Sequence, residues 1–128
     1  MKYLLDTSTW IWVNSDASKL SRRAEEILKD PDSVFGLCSI SLWEVAKKVQ
    51  KGKLQLDRPV LQWIKTALPE TVQVLPVTPE IAVVSTQLKD FHKDPADQII
   101  VATAKVHGLT LIASDGLIRD GNWVETVW

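Results

Sequence analysis

With a single cysteine, Cys38, no internal disulfide can hold this chain together, so its stability must come from a buried apolar core. One thiol also fits a reducing compartment, which makes the cytoplasm the expected location. Cys38 closes the run Val34-Phe35-Gly36-Leu37 and reads as a small apolar residue rather than a nucleophile. No uninterrupted apolar stretch approaches the ~20 residues a membrane span needs. Met1-Lys2 leads straight into the first apolar run, without a signal peptide. A formal net charge of −1 excludes a broadly basic coat, so any nucleic-acid contact has to use a local patch. Repeats, low-complexity tracts and linkers are lacking as well.

What is present is ordinary for one globular domain spanning residues 1–128, with 45% hydrophobic and 24% charged residues. Short apolar runs at residues 2–5, 34–37, 72–75, 109–113 and 123–127 read as strands, with helical patterns between them. That alternation predicts an α/β fold, a mainly parallel sheet covered by helices on both faces. Residues 51–59 and the prolines at 69, 76 and 79 mark loops inside the domain.

Three helices can be read closely. Leu20, Ala24, Ile27 and Leu28 form an apolar stripe opposite Arg22, Arg23 and Glu26. Leu42, Val45, Ala46 and Val49 form a second, with Glu44, Lys47, Lys48 and Lys51 together on the opposite face. That polar face is either solvated, with Glu44 and Lys48 paired, or it lays its lysines along a phosphate backbone. The third helix starts at Asp94-Pro95, a cap followed by proline at the first helical position. Asp97 then shares a face with Ile100, Val101 and Ala104, while Ile99, Ala102 and Val106 line another side. A helix apolar on two faces is either fully buried or a subunit contact.

Four acids stand where the chain changes direction: Asp6 after the first apolar run, Glu44 and Asp97 on helices, and Asp115 after the fourth run. Ligand sites of open α/β sheets form at the carboxyl ends of the strands. Gathered there, four carboxylates would repel one another unless a hard cation such as Mg²⁺ or Mn²⁺ neutralised them. Nothing in the sequence suggests a serine or cysteine nucleophile.

These residues carry a resemblance. Leu4-Leu5-Asp6-Thr7, Ser39-Ile40-Ser41-Leu42-Trp43-Glu44-Val45, Val74-Leu75-Pro76-Val77-Thr78, Asp94-Pro95-Ala96-Asp97 with Ile100-Val101-Ala102-Thr103-Ala104, Ser114-Asp115 and the closing Trp128 follow in order. The chain resembles PIN-domain ribonucleases, specifically the VapC-type toxins of toxin–antitoxin pairs. The resemblance implies a three-layer α/β/α sandwich and identifies Asp6, Glu44, Asp97 and Asp115 as the acidic, metal-holding catalytic set. It further implies Mg²⁺- or Mn²⁺-dependent hydrolysis of an RNA (tRNA, rRNA or mRNA) that leaves 5′-phosphate and 3′-hydroxyl ends. The implied partner is a small antitoxin whose tail crosses the acidic groove, and a homodimer or toxin–antitoxin hetero-oligomer is expected. Light scattering tests the dimer, whose candidate contact is the two-faced third helix.

The chain departs from related toxins at Gln98 and Gly116, where arginine is frequent, and at Ala113, where threonine is usual. An inactive PIN-like RNA- or protein-binding module is therefore the alternative reading. A haloacid dehalogenase-like phosphatase fits less well, because Ser8 stands where its second aspartate belongs, and a receiver domain wants paired acids where Asp6 stands alone. Ser8, Asp94 and Ser114 are placed to support the acids, and Lys47, Lys48 and Lys51 to meet RNA phosphates. One of Thr7, Ser8 and Thr9 is expected to cap the first helix. His107, before Gly108, reads as structural, while His92 lies within reach of a substrate. Of six tryptophans, Trp63 and Trp123 are assigned to the core and Trp43 to the site's edge; Trp10 and Trp12 serve packing or partner contact rather than base stacking.

Overall fold

The computed structural model describes residues 1–91 and 94–128. In chain order the elements are β1 (Tyr3–Leu5), α1 (Thr7–Ser15), a 3₁₀ turn (Ala17–Lys19), α2 (Arg22–Leu28), β2 (Phe35–Cys38), α3 (Ile40–Gln50) and α4 (Val60–Thr66). They continue with β3 (Val72–Leu75), α5 (Pro79–Ser85), α6 (Pro95–His107), β4 (Thr110–Ile112), α7 (Gly116–Asp120) and β5 (Thr126–Val127). All five strands are parallel, in the order β3-β2-β1-β4-β5. Because β1 is central, Leu4 and Leu5 are buried on both faces, which explains an apolar run without alternation.

Two apolar clusters flank the sheet. Leu5, Leu37 and Ile112 face Trp10 and Ile11 of α1, Ala24 of α2, Val45 of α3 and Trp63 of α4. Leu4, Cys38, Leu111 and Ala113 face Ile100, Val101 and Ala104 of α6 and Ile118 of α7. The result is the three-layer sandwich expected. Trp10 is fully buried, packs edge-on against Trp63 at 5.2 Å, and donates its indole N–H to the Ala67 carbonyl at 2.8 Å. This tryptophan is structural, not a platform for bases.

Three local expectations change. Of the first apolar stripe, Leu20 falls outside α2, which starts at Arg22 because the Ser21 hydroxyl accepts from the Ala24 N–H and fixes the boundary. The last strand shortens to Thr126–Val127, because the Trp123 ring lies across Gly121, where a Cβ would fall 1.9 Å from the ring. Trp123 is thus a half-buried cover that packs on Phe91 at 4.6 Å. The second side of α6 is largely used inside the chain, since α5 packs on α6 and Ala102 is fully buried, leaving Ile99 and Val106 half-buried. Gly108 ends α6 in the left-handed region at φ 65°, as its place after His107 suggested. Among the described residues no helix is long and apolar enough to cross a membrane.

Candidate active site

The strand order reverses beside β1: one connection leads to β2, while the strand on its other side, β4, arrives late in the chain. Such a switch point opens a crevice at the carboxyl ends of the two strands. Asp6 follows β1 directly and Asp115 lies three residues beyond β4. The Asp6 N–H donates to the Ile112 carbonyl at 3.2 Å, which holds the two strand ends side by side. Helices α3 and α6 meet above them and contribute the remaining acids.

The crevice is a cleft of about 250 Å³ lined by Asp6, Thr7, Ser8, Glu44, Lys48, Asp94, Asp97, Ser114, Asp115 and Ile118. A larger hollow among the described residues, about 710 Å³, runs along β5 at the sheet's opposite end and gathers no such set of acids. All four acids singled out in the sequence meet in the cleft. So do Ser8, Asp94 and Ser114. Of the three lysines only Lys48 lines it; Lys47 donates to Gln50 and Lys51 is exposed at the end of α3. Trp43 is 57% exposed and does not line the cleft, which corrects its placement at the site's edge. His92 lies outside the described residues.

Three of the acids are also helix caps. Asp6, not a following hydroxyl, caps α1 by accepting from the Thr9 N–H at 2.7 Å. Asp94 caps α6 through the Asp97 N–H at 2.9 Å, and Asp115 caps α7 through the Leu117 N–H at 2.8 Å. In each case one carboxylate oxygen makes the cap. The positive ends of three helix dipoles thereby offset part of the repulsion among the acids.

Glu44 is anchored differently. It is only 9% exposed, so the polar face of α3 is closed off from solvent at Glu44 while Lys51 stays exposed. Thr7 donates to its Oε1 at 2.5 Å, and the Ser41 hydroxyl lies 2.8 Å from that of Thr7. Lys48 Nζ stands 3.6 Å from Oε2. The Thr7 contact joins residues 37 apart and escaped the sequence reading. Burial pushes the Asp6 carboxyl up to about 6; hydrogen bonds from Thr9 oppose the rise, and the charges of Glu44 and Asp115 add to it.

Carboxylate oxygens of Glu44, Asp94 and Asp97 all lie within 4.8 Å of one another. An all-oxygen donor set with excess negative charge fits a hard divalent cation. Asp94 thus joins this group directly, beyond the supporting place the sequence suggested. Asp6 stands beside it as the most deeply buried of the acids lining the cleft, at 6% exposure.

Comparison with known proteins identifies the family and the fold. The chain is 33% identical to Ribonuclease VapC22 of Mycobacterium tuberculosis, over 98% of this chain and 97% of that protein. Its fold is similar to the VapBC2 structure from Rickettsia felis, solved bound to a promoter DNA fragment, with a TM-score of 0.75 at 15% identity over 99% and 98% of the two chains. It is also similar to Mycobacterium tuberculosis VapC20, a toxin described as cleaving the sarcin-ricin loop, with a TM-score of 0.70 at 17% identity over 97% and 98%. Residues 3–121 match the PIN domain family, and the chain belongs to it.

Proposed function

We propose that this protein is a divalent-cation-dependent endoribonuclease that acts as a toxin and is neutralised by a small antitoxin. The observation that carries the reading is the convergence of Asp6, Glu44, Asp94, Asp97 and Asp115 in one cleft at the sheet's switch point. Its relative VapC22 is named a ribonuclease, and VapC20 is described as a toxin that cleaves the sarcin-ricin loop, which supports the same chemistry here. Complexes such as VapBC2 support an antitoxin partner.

In this reading Glu44, Asp94 and Asp97 hold Mg²⁺ or Mn²⁺, with Asp6 and Asp115 beside them. The bound cation supplies Lewis-acid polarisation of a phosphate oxygen and acidification of water. The protein's own part is geometric and electrostatic. Thr7 fixes the Glu44 carboxylate, and the caps at Asp6, Asp94 and Asp115 fix the orientation of theirs. A carboxylate accepts the proton of the attacking water. The water oxygen bonds to phosphorus as the bond to O3′ breaks, and the departing O3′ takes a proton from solvent water, leaving a 5′-phosphate and a 3′-hydroxyl. Ser8 and Ser114 line the cleft, where their hydroxyls can orient that water, and Lys48, with Lys47 before it and Lys51 just past the end of α3, meets the phosphate backbone.

RNA cleavage by antitoxin-free protein tests the reading, with Mg²⁺ or Mn²⁺ against EDTA and Asp97→Asn as control. Cleavage should need both the metal and Asp97, with a loss of about 10²–10³-fold in the variant. Retained cleavage in Asp97→Asn, or 2′,3′-cyclic phosphate ends, would overturn the mechanism. Cleavage absent altogether from folded wild-type protein points to the binding-module alternative.

A further inference from the structure

Among the described residues lining the acidic cleft, Lys48 is the one cation, set against five carboxylates. Its ammonium is not held in a close hydrogen bond: it stands 3.6 Å from Glu44 Oε2, and its side chain keeps 36% of its exposure. Glu44 itself is fixed from behind, with Oε1 taken by Thr7 at 2.5 Å. The oxygen facing Lys48 is therefore the one not committed to Thr7. Glu44 is also one of the three acids whose oxygens converge to within 4.8 Å, so a cation entering among them and Lys48 draw on the same carboxylate.

Resting on the nuclease reading above, we propose that Lys48 is a built-in competitor for the divalent cation, holding its place at Glu44 until metal and RNA arrive together. A doubly charged ion at Glu44 repels the ammonium. The flexible four-carbon stem lets it leave without moving α3. The cleft mouth is then where it finds a new counter-charge, the phosphate of the bound strand. Lys48 thus exchanges a carboxylate for a phosphate, and the two binding events become coupled: RNA removes the competitor from the metal site, and metal releases a phosphate contact. By reciprocity, each ligand tightens the other by the same factor.

The test is Mn²⁺ binding, followed by electron paramagnetic resonance, to wild type, Lys48→Met, Lys48→Arg and Asp97→Asn, without RNA and with a non-cleavable RNA analogue. Removing the competitor should tighten Mn²⁺ binding without RNA by on the order of fivefold in Lys48→Met. Lys48→Arg, which keeps the charge, should stay close to wild type. The analogue should tighten Mn²⁺ in wild type and do so less in Lys48→Met. Unchanged or weaker Mn²⁺ binding in Lys48→Met, with Asp97→Asn still losing the ion, would overturn this inference and leave the nuclease reading standing. No Mn²⁺ binding by wild type would overturn the metal site and this inference with it.

Discussion

Strands β1 and β4 each cross from one kind of environment into its opposite. Leu4, Leu5, Leu111 and Ile112 are packed in hydrocarbon, while one residue past β1 and three past β4 stand Asp6 and Asp115, in a cleft crowded with like charge. Below the strand ends, burial stabilises the fold at about 25 cal/mol per Å² of apolar surface removed from water. Above them, burial of Asp6 works against it. The same backbone that makes the core rigid presents the carboxylates, so the cleft can hold an unfavourable charge arrangement without rearranging to relieve it. Substitutions should therefore have opposite signs in the two regions: core changes cost stability, and cleft changes recover it while removing activity.

The largest effect is expected in the core. Trp10→Ala removes a fully buried ring, its edge contact with Trp63 and its hydrogen bond to Ala67. A loss of about 3–5 kcal/mol in urea unfolding is expected. A loss below 1 kcal/mol would show that the α1 face of the sheet is not the tight core described.

Asp6→Asn should move the other way. Its carboxyl has a folded pKa of about 6 against an ordinary 3.8, so the folded chain binds the proton more tightly than the unfolded chain does. Stability from that proton is complete below about pH 4, falls as pH rises, and is gone above pH 6. At pH 8 the buried charge costs on the order of 3 kcal/mol. Asparagine can still cap α1 through its side-chain oxygen. The variant should therefore be more stable than wild type at pH 8 without metal, with the gain shrinking toward zero near pH 4. An equal effect at both pH values would mean that Asp6 is not strained by its charge.

Much of this contrast was legible in the sequence, and the exceptions have physical causes. Apolar runs located the strands most cleanly at β1, β2 and β4, which are largely buried; the edge strands β3, with Gln73 exposed, and β5, only half-buried, carry polar residues and a weaker signal. Asp6, Asp97 and Asp115 could be found because they sit at strand ends and a helix start, whereas Glu44, inside α3, was marked by the resemblance of the motif around it. Asp94 was read as a cap and a support for the other acids, yet a cap uses one carboxylate oxygen and its carboxylate also faces Glu44 and Asp97 directly. Asp6 was missed as a cap because Thr7, Ser8 and Thr9 after it are familiar cap residues. For the polar face of α3 a solvated reading and a site reading both stood open, because periodicity cannot show that a second helix, α6, packs against α3 and that Glu44 is buried. Thr7 was out of reach for a similar reason, since only the folded chain brings it to Glu44.

The smallest of the expected shifts is also the most direct test of the central claim, that the cleft is a cation site. Thermal unfolding of wild type and Asp97→Asn should be compared at pH 8 with EDTA and with Mn²⁺ at tenfold its Kd. Binding to the folded state alone contributes about 1.4 kcal/mol at that concentration, a rise of roughly 4–7 °C in Tm for a domain of this size. The account predicts that rise in wild type and almost none in Asp97→Asn. No rise in wild type at millimolar Mn²⁺, or an equal rise in both proteins, would contradict it.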